Sequence, residues 1–369
     1  MVVMLLKRCE SFLEGSNIPS GLFTKITHLQ MSLSSVQVEQ VVKLSDRNLI
    51  MLDLSHTANL SVPADFGQSP RFKDLKRLYL RACGLQKLPE SLGKLPSLAT
   101  LDVSSNKLTS LPELLPIKLQ DLYASDNRLT VLPSSLQSLA NMAMLDVTNN
   151  HNLSSFPQRL GANSQIRTVL ASCCRLEKGL PSSLFEGDSK LQMLSLRGSR
   201  LRQLPANLGS AKLLTGFLSL GDNQLTSLPP SIGHARKLVG LSLNYNKELK
   251  TLPRDLVKLI GLSTFDCNNC VSLEPCIGCL PKNLRRLVVT NSARFDVLDA
   301  MSEPLTKLEE LDASFTATTL RSRLPDNFTD MKSLKALRLN ACGGGQRLTA
   351  LPDDFRTLTN LKEIYLEVR

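Results

Sequence analysis

The sequence contains no tryptophan, and aromatic residues make up only 4% of its 369 residues. Aliphatic side chains must therefore form most of the core, and 42% apolar residues are enough for a large one. Long apolar runs are also missing. Only six apolar residues precede Lys7, fewer than a signal peptide needs, and no stretch approaches the ~18 residues that span a bilayer. These absences predict a cytoplasmic or nuclear protein with no membrane insertion.

The nine cysteines are an odd number spread over a long chain, unlike the dense, even sets of disulfide-stabilised secreted domains. We therefore expect reduced thiols. The net charge is +11, but 44 Lys and Arg are interleaved with 33 Asp and Glu, without a long run of one sign. This distribution favours solubility over nucleic-acid binding as the role of the charge.

One short pattern recurs along the chain. From Leu98 the sequence reads LATLDVSSNKLTSLP, and from Leu119 it reads LQDLYASDNRLTVLP, so both segments fit LxxLxLxxNxLxxLP. Successive units start about 21 to 27 residues apart, and repetition at such a period is typical of solenoids. The other starts are Leu49, Leu75, Met142, Ile166, Leu191, Leu238, Leu262, Leu284, Leu308, Leu334 and Leu361, with a looser unit over residues 215–229.

Elementary geometry gives the pattern a structural meaning. The two Leu of the LxL step share one face of a short strand because side chains alternate with period two. The Asn that follows can bond backbone groups of adjacent coils, and the Pro ends strand pairing and starts a return segment. One coil is too thin to bury its own apolar face, so coils must stack. The pattern predicts a curved solenoid with a concave parallel sheet and short helical, 3-10 or irregular segments on its convex side.

These units resemble the leucine-rich-repeat family over essentially the whole chain. They are most similar to its intracellular subclass, whose units end in Leu-Pro, as at Leu88, Leu204, Leu228, Leu252 and Leu351. The resemblance implies an α/β-type horseshoe and a single solenoid of about 15–16 units over residues 1–369. That subclass supplies the sensing arms of Ras-pathway scaffolds and of plant-type immune receptors.

Both ends of the chain lie inside the pattern. Residues 1–9 fit a first unit, residues 26–31 a second, and residues 361–369 a unit that stops after its strand. Solenoids need polar caps, and none is visible in the sequence. We therefore expect either a segment of a longer protein or a truncated gene product, in both cases without its effector domains and able to self-associate end to end.

Two closely spaced CxxC pairs, Cys267/Cys270 and Cys276/Cys279, suggest a metal site when taken alone. The repeat register instead places Cys267, Cys270 and Cys276 at inward positions and Cys279 at a Leu position. The five-residue gap is also far below the roughly 15–20 residues usual between paired zinc knuckles. Core thiols are therefore predicted, with no metal and no cofactor.

The other candidate chemistry has a similar explanation. Cys9, Cys83, Cys174 and Cys342 occupy the Asn position of their units, and only Cys173 is expected on the concave surface. The four His have no catalytic or metal spacing, Gly343–Gly345 lacks a following phosphate-binding Lys, and there is no GxSxG motif. The chain is therefore interpreted as non-enzymatic.

The concave column between the two strand Leu holds the candidate binding residues. It reads Asp53, Tyr79, Asp102, Tyr123, Asp146, Leu170, Ser195, Ser219, Ser242, Asp266, Val288, Asp312, Arg338 and Tyr365. Tyrosine is enriched at binding interfaces, and we expect all four tyrosines, including Tyr245, on these strands. Asp is also an ordinary residue at this position of the family, so a purely structural role competes with binding. Lys76, Arg77 and Arg81 around Tyr79, and Arg285 with Arg286, either bind an acidic partner or are only solvated.

The preferred hypothesis is a protein-protein interaction module that binds a protein on its concave face, as a signalling scaffold or an innate immune sensing arm. The alternative is the substrate-recruiting part of a larger enzyme, such as a ubiquitin ligase or a kinase. Nucleic acid is disfavoured because the concave column holds several Asp and a single Arg, and Asp repels phosphates.

Overall fold

The computed structural model of the chain describes residues 2–7, 26–32, 48–162, 165–320, 322–340, 348 and 350–366. The chain divides into two compact units, Met1–Leu176 and Glu177–Arg369, called unit 1 and unit 2 below. A single solenoid over residues 1–369 stays a prediction.

Unit 1 is built on a parallel sheet in which each strand pairs with the next one along the chain. The middle residues of adjacent strands are in register, and Leu52, Leu78, Leu101, Leu122 and Leu145 are all fully buried. Its strands are β1 (Val2–Lys7), β2 (Ile26–Ser32), β3 (Met51–Asp53), β4 (Arg77–Tyr79), β5 (Thr100–Asp102), β6 (Asp121–Tyr123), β7 (Met144–Asp146) and β8 (Thr168–Leu170).

Unit 2 repeats this arrangement with its own parallel strands, again paired in chain order. They are β9 (Met193–Ser195), β10 (Phe217–Ser219), β11 (Gly240–Ser242), β12 (Thr264–Asp266), β13 (Arg286–Val288), β14 (Glu310–Asp312), β15 (Ala336–Arg338) and β16 (Glu363–Tyr365). The parallel sheets of short strands confirm the predicted solenoid class.

The return segments are mostly single 3-10 turns. Unit 1 has them at Phe66–Gln68, Pro70–Phe72, Glu90–Lys94 and Ser134–Ser138. Unit 2 has them at Ser182–Phe185, Leu208–Ser210, Pro230–His234, Arg254–Lys258, Ala317–Leu320, Asp326–Asp330 and Asp353–Thr357, with one α-helical turn, α1 (Val297–Ala300). The proline of each Leu-Pro pair often stands just before the turn, as Pro89 and Pro133 do, because its φ suits a helix start and it needs no N–H partner there. The turn then buries its central Leu, Leu92 and Leu136 in these two cases, which closes the core as predicted.

The Asn that follows each strand bonds backbone groups of two repeats. Asn106 Oδ1 accepts from the N–H groups of Cys83 and Leu85, both at 3.0 Å, in the preceding repeat. Its Nδ2 donates to Leu80 O in that repeat and to Val103 O in its own, both at 2.8 Å. The same ladder continues through Asn127, Asn150, Asn223 and Asn246. This confirms the predicted role, since buried backbone groups left without partners would be costly.

Cysteine takes over part of this role where it replaces Asn. The thiols of Cys83, Cys174 and Cys270 donate to Leu54 O at 3.1 Å, Val147 O at 3.3 Å and Leu243 O at 3.4 Å, each in the preceding repeat. The predicted ladder position of these three is therefore confirmed. Cys9 and Cys342, placed at the same position from the sequence, lie outside the described residues.

Candidate protein-binding face

The strand face, meaning the solvent-facing side of each parallel sheet, carries the residues predicted to bind a partner. In unit 1 its central column is Asp53, Tyr79, Asp102, Tyr123 and Asp146, aligned in register across β3 to β7. All five side chains are partly exposed, while the apolar residues on either side of each are buried. With strands about 4.8 Å apart, the two tyrosines stand roughly 10 Å apart with an aspartate between them.

Each column aspartate also closes its own strand. Asp102 Oδ1 accepts from Ser104 N–H at 2.9 Å, and Asp146 Oδ1 accepts from Thr148 N–H at 3.0 Å. The same bond to the N–H two residues later is made by Asp53, Asp266 and Asp312. An aspartate that bonds its own backbone in this way stabilises the bend at the strand end. The structural role weighed from the sequence is therefore present at all five positions, and a binding role for them stays a prediction.

Tyr123 lies in the most acidic part of this column. Burial raises the pKa of its hydroxyl first, and the charges of Asp121, Asp102 and Asp146 raise it further. Asp121 belongs to the neighbouring column of β6, where its Oδ2 accepts from the Thr100 hydroxyl at 3.3 Å. The surroundings of Tyr123 therefore favour the neutral phenol and a cationic neighbour.

Basic residues lie near Tyr79 in addition to the column aspartates Asp53 and Asp102. Lys76, Arg77 and Arg81 are all exposed, and Arg77 lies on β4 two residues before Tyr79. The guanidinium of Arg77 is 3.3 Å from His28 Nε2, and its charge adds to burial in lowering the pKa of His28. Arg77 and Tyr79 therefore share one face of β4, and Arg77 also contacts His28 on β2. Binding of an acidic partner by Lys76, Arg77 and Arg81 stays a prediction.

In unit 2 the predicted residues are engaged with one another. The Arg338 guanidinium lies 5.1 Å from the centre of the Tyr365 ring and 2.9 Å from Glu363 Oε2. Tyr365 is nevertheless 48% exposed. An ion pair of 3.2 Å joins Arg286 to Glu310 on the adjacent strand, and Arg285 pairs with Glu309. These arginines are therefore neutralised locally, which weakens the prediction that they bind an acidic partner.

Tyr245 is not where the sequence analysis placed it. Strand β11 ends at Ser242, and Tyr245 lies three residues later with a left-handed φ of 60°. In this conformation its N–H donates to Asn268 O of the next repeat at 2.8 Å. Its ring is exposed beside Arg202 and Lys247, beyond the end of the strand. Cys173, expected on the concave surface, occupies the equivalent left-handed position after β8.

An apolar part of the strand face was missed by the sequence analysis. Phe217 on β10 is 55% exposed, and Met193 on β9 is 45% exposed. Each of them stands two residues before the column residue of its strand and on the same face. Opposite Phe217 on β11 stands Gly240, whose missing side chain leaves room for the ring. A glycine inside a strand is a sign of such a close approach, and it was the available signal. The structure also buries Leu214 rather than Thr215, so this repeat has an extra residue that obscured its register.

The cysteine-rich repeat follows the predicted register only in part. Cys267, Cys270 and Cys279 are fully buried, whereas Cys276, predicted to point inward, is partly exposed. No regular 3-10 turn forms between β12 and β13, and Cys276 Sγ donates to Leu252 O of the preceding repeat at 3.3 Å. Within the described residues no group of three or more His, Cys, Asp or Glu is placed to hold a metal ion. The glycines at 343–345 lie outside them.

No helix in the described parts of the chain combines the length and the apolar character needed to cross a membrane. The described cysteines carry no disulfide.

Comparison with known proteins supports the repeat assignment. The family model described as Leucine Rich Repeat matches residues 118–139. A probable disease resistance protein of Arabidopsis thaliana is 33% identical over 121 residues, which cover 33% of this chain and 6% of that protein. The chain therefore spans only a small part of the length of this curated relative.

Solved structures resemble the chain over nearly its full length. A leucine-rich-repeat protein of Leptospira interrogans gives a TM-score of 0.71 at 23% identity, covering 99% of this chain and 88% of that one. A chain of the Toll–Spätzle complex, described as a hub in Drosophila development and innate immunity, gives 0.60 at 19% identity over 94% of this chain and 53% of that one. At such identities the likeness shows the fold alone.

Proposed function

The chain belongs to the leucine-rich-repeat family, and from that premise we propose that it binds a protein partner on the strand face of unit 1. The observation that carries the proposal is the alternation of Asp and Tyr in register across β3 to β7. Tyr79 and Tyr123 offer broad, partly exposed rings with polar tips, the residue type enriched at protein interfaces. The Toll–Spätzle complex supports it as an example of this fold in a protein assembly.

The charges around the two rings predict how charged groups are distributed on the proposed partner. Carboxylates surround Tyr123, whereas Tyr79 has the basic residues Lys76, Arg77 and Arg81 near it in sequence as well as Asp53 and Asp102 in register. A partner that lies across β4 to β6 would place acidic groups beside Tyr79 and basic groups beside Tyr123. Complementary charges of this kind set orientation and association rate more than they set affinity.

The role in the cell that we propose is a signalling scaffold or the sensing arm of an immune-type receptor. The Arabidopsis relative supports it, since it is described as a probable disease resistance protein. The alternative of a recruiting arm in a larger enzyme uses the same strand face, and a captured partner that becomes modified would favour it.

The test compares capture by the intact chain and by Tyr79→Ala/Tyr123→Ala from extracts of the source cells, with quantitative mass spectrometry. The matched control is Leu114→Ala/Ile117→Ala, which removes two exposed apolar side chains from a return segment of the same unit. We expect the tyrosine variant to lose at least about tenfold in capture of specific proteins, which corresponds to about 1.4 kcal/mol, at an unchanged Tm. Equal loss in the control, or full capture by the tyrosine variant, would reject the strand face of unit 1 as the binding surface.

A further inference from the structure

Cys276 and Cys279 stand at the two ends of a tight reverse turn in the repeat that begins with β12. The turn is formed by Ile277 and Gly278, and Gly278 has a φ of 63°, the left-handed value that a type II turn requires at its third residue. The ends of a β-turn have Cα atoms less than about 7 Å apart, which is within the range that a disulfide can bridge. The backbone of the turn therefore holds the two cysteines within the Cα separation that a disulfide can bridge.

The turn is anchored to the next repeat on both sides. Gly278 N–H donates to Asp299 O at 3.0 Å, and Leu280 N–H donates to Ala300 O at 2.8 Å. The thiol of Cys279 also donates to Cys276 O within the turn, at 3.5 Å. These bonds hold the two cysteines together in the folded protein.

The two thiols differ in exposure and in proton affinity. Cys279 is fully buried, whereas Cys276 is partly exposed and adjoins Ile277, whose side chain is 73% exposed. A hydrogen bond from Cys279 lowers the pKa of Cys276, burial opposes this, and the nearby charge of Arg254 adds to the lowering. The same hydrogen bond and then burial raise the pKa of Cys279. This is the division found in reactive CxxC pairs, in which the accessible thiol carries the thiolate.

We propose that Cys276 and Cys279 form a thiol–disulfide exchange site that accepts a small-molecule disulfide of the glutathione class. The Cys276 thiolate attacks one sulfur of the reagent, the reagent's S–S bond breaks, and one equivalent leaves as its thiolate. Cys279 then loses its proton and attacks the Cys276 sulfur, which releases the second equivalent. One reagent disulfide is reduced to two thiols while the pair is oxidised to one disulfide, so atoms and electrons balance.

The same repeat contains a natural comparison for this site. Cys267 Sγ and Cys270 Sγ are only 2.8 Å apart, but both residues are fully buried. Burial also raises the pKa of Cys267 well above its usual value. If the distance between sulfur atoms alone decided where oxidation occurs, Cys267 and Cys270 would form the disulfide. If solvent access and thiolate character decide, Cys276 and Cys279 form it.

The experiment exposes the folded chain to oxidised glutathione, blocks remaining thiols with an alkylating reagent under denaturing conditions, and digests with trypsin. Residues 259–282 contain no Lys or Arg before Lys282, so all four cysteines fall in one peptide. Peptides fragment preferentially before proline, and Pro275 separates one pair from the other. We expect the loss of two hydrogens on the Pro275 side, with Cys267 and Cys270 alkylated.

Variants test the order of the steps. Cys279→Ser should stop the reaction at a glutathione adduct on Cys276, and Cys276→Ser should leave Cys279 reduced. In the unaltered chain, which needs no variant to fold, native alkylation of Cys276 should be at least about tenfold faster than that of Cys279. Oxidation at Cys267 and Cys270 instead, an absence of any product at Cys276, or equal alkylation of Cys276 and Cys279 would each overturn the proposal.

Discussion

The ring of Phe217 lies against the backbone of Gly240 on the neighbouring strand of unit 2. A Cβ atom placed on Gly240 would stand 2.1 Å from both Cδ1 and Cε1 of that ring, much closer than two carbon atoms can approach. The ring and the glycine are thus a matched pair, and the exposed part of the ring forms the apolar section of the strand face.

This pairing predicts non-additive stability effects. Gly240→Ala alone should lower the free energy of unfolding by about 1 kcal/mol, because the added methyl group displaces the ring. In a Phe217→Ala background the same change should be neutral or stabilising, since alanine loses less conformational entropy than glycine. Urea denaturation of the four proteins gives the coupling energy. Additive effects would show that the ring moves away freely.

The ladder predicts a large loss of stability when Asn106 is replaced. Asn106→Ala leaves the buried N–H groups of Cys83 and Leu85 without their acceptor, and each buried group without a partner costs about 1–3 kcal/mol. Asn48→Ala, in an earlier repeat of the same unit and outside the buried ladder, is the control, because Asn48 Nδ2 donates to the exposed Asp74 side chain at 2.6 Å. Denaturant titration should separate the two variants by at least about 2 kcal/mol, and equal losses would contradict the ladder's role.

The ladder thiols predict a loss of stability at alkaline pH. Burial raises the pKa of Cys83 to about 11 and that of Cys174 to about 12, both above the usual value of 9.0. Between pH 9 and these values the unfolded chain releases thiol protons that the folded chain retains, so the free energy of unfolding falls as pH rises.

Below pH 9 both states keep the proton, and the contribution of these thiols is constant. The Cys83→Asn/Cys174→Asn variant should therefore show a shallower fall between pH 9 and about 11, by roughly 1.4 kcal/mol per pH unit for each thiol. Denaturant titration at pH 8, 9, 10 and 11 measures the free energy of unfolding of both proteins across that window. Parallel curves for the variant and the unaltered chain would contradict this origin.

The column aspartates allow structure and binding to be separated. Asp102→Asn keeps a carbonyl oxygen for Ser104 N–H and removes the charge, whereas Asp102→Ala removes both. We expect the Ala variant to lose about 1 kcal/mol of stability and the Asn variant little. Partner capture by Asp102→Asn then reports on the charge alone. If Asp102→Ala were stable and Asp102→Asn unstable, the hydrogen bond to Ser104 N–H would have no role in stability.

The sequence predicted most of what depends on the repeat period. Alternation in LxL placed the buried Leu and the strand column, and spacing placed Asn106 and its equivalents in the ladder, because both follow from backbone geometry that recurs in every coil. The burial of Cys267 and Cys270 followed from the same register. These features can be predicted from one repeat, provided that a second repeat stacks against it.

The misplaced residues lie where one repeat departs from the period. Tyr245 lies in the left-handed turn after its strand. The pattern of buried residues does not show this position, because the backbone angle φ sets it. Cys276 directly precedes the turn formed by Ile277 and Gly278 and is partly exposed, and Phe217 was missed because one extra residue precedes Leu218. Side-chain partnerships such as Phe217 with Gly240 arise between repeats, so a pattern read within each repeat does not contain them.

The left-handed residue that precedes the ladder position affects which changes in the number of repeats the fold tolerates. It occurs at Ala82, Ser105, Asp126, Asn149 and Cys173 in successive repeats of unit 1, and the N–H of each of the first four donates to a carbonyl of the following repeat. Donors therefore point forward along the chain, while ladder amides such as Asn106 reach backward. If a whole repeat were deleted or duplicated in frame within a unit, the repeats that become neighbours would present the same backbone N–H donors and carbonyl acceptors to each other. Copy number in such an array can thus change during evolution without creating an unsatisfied junction.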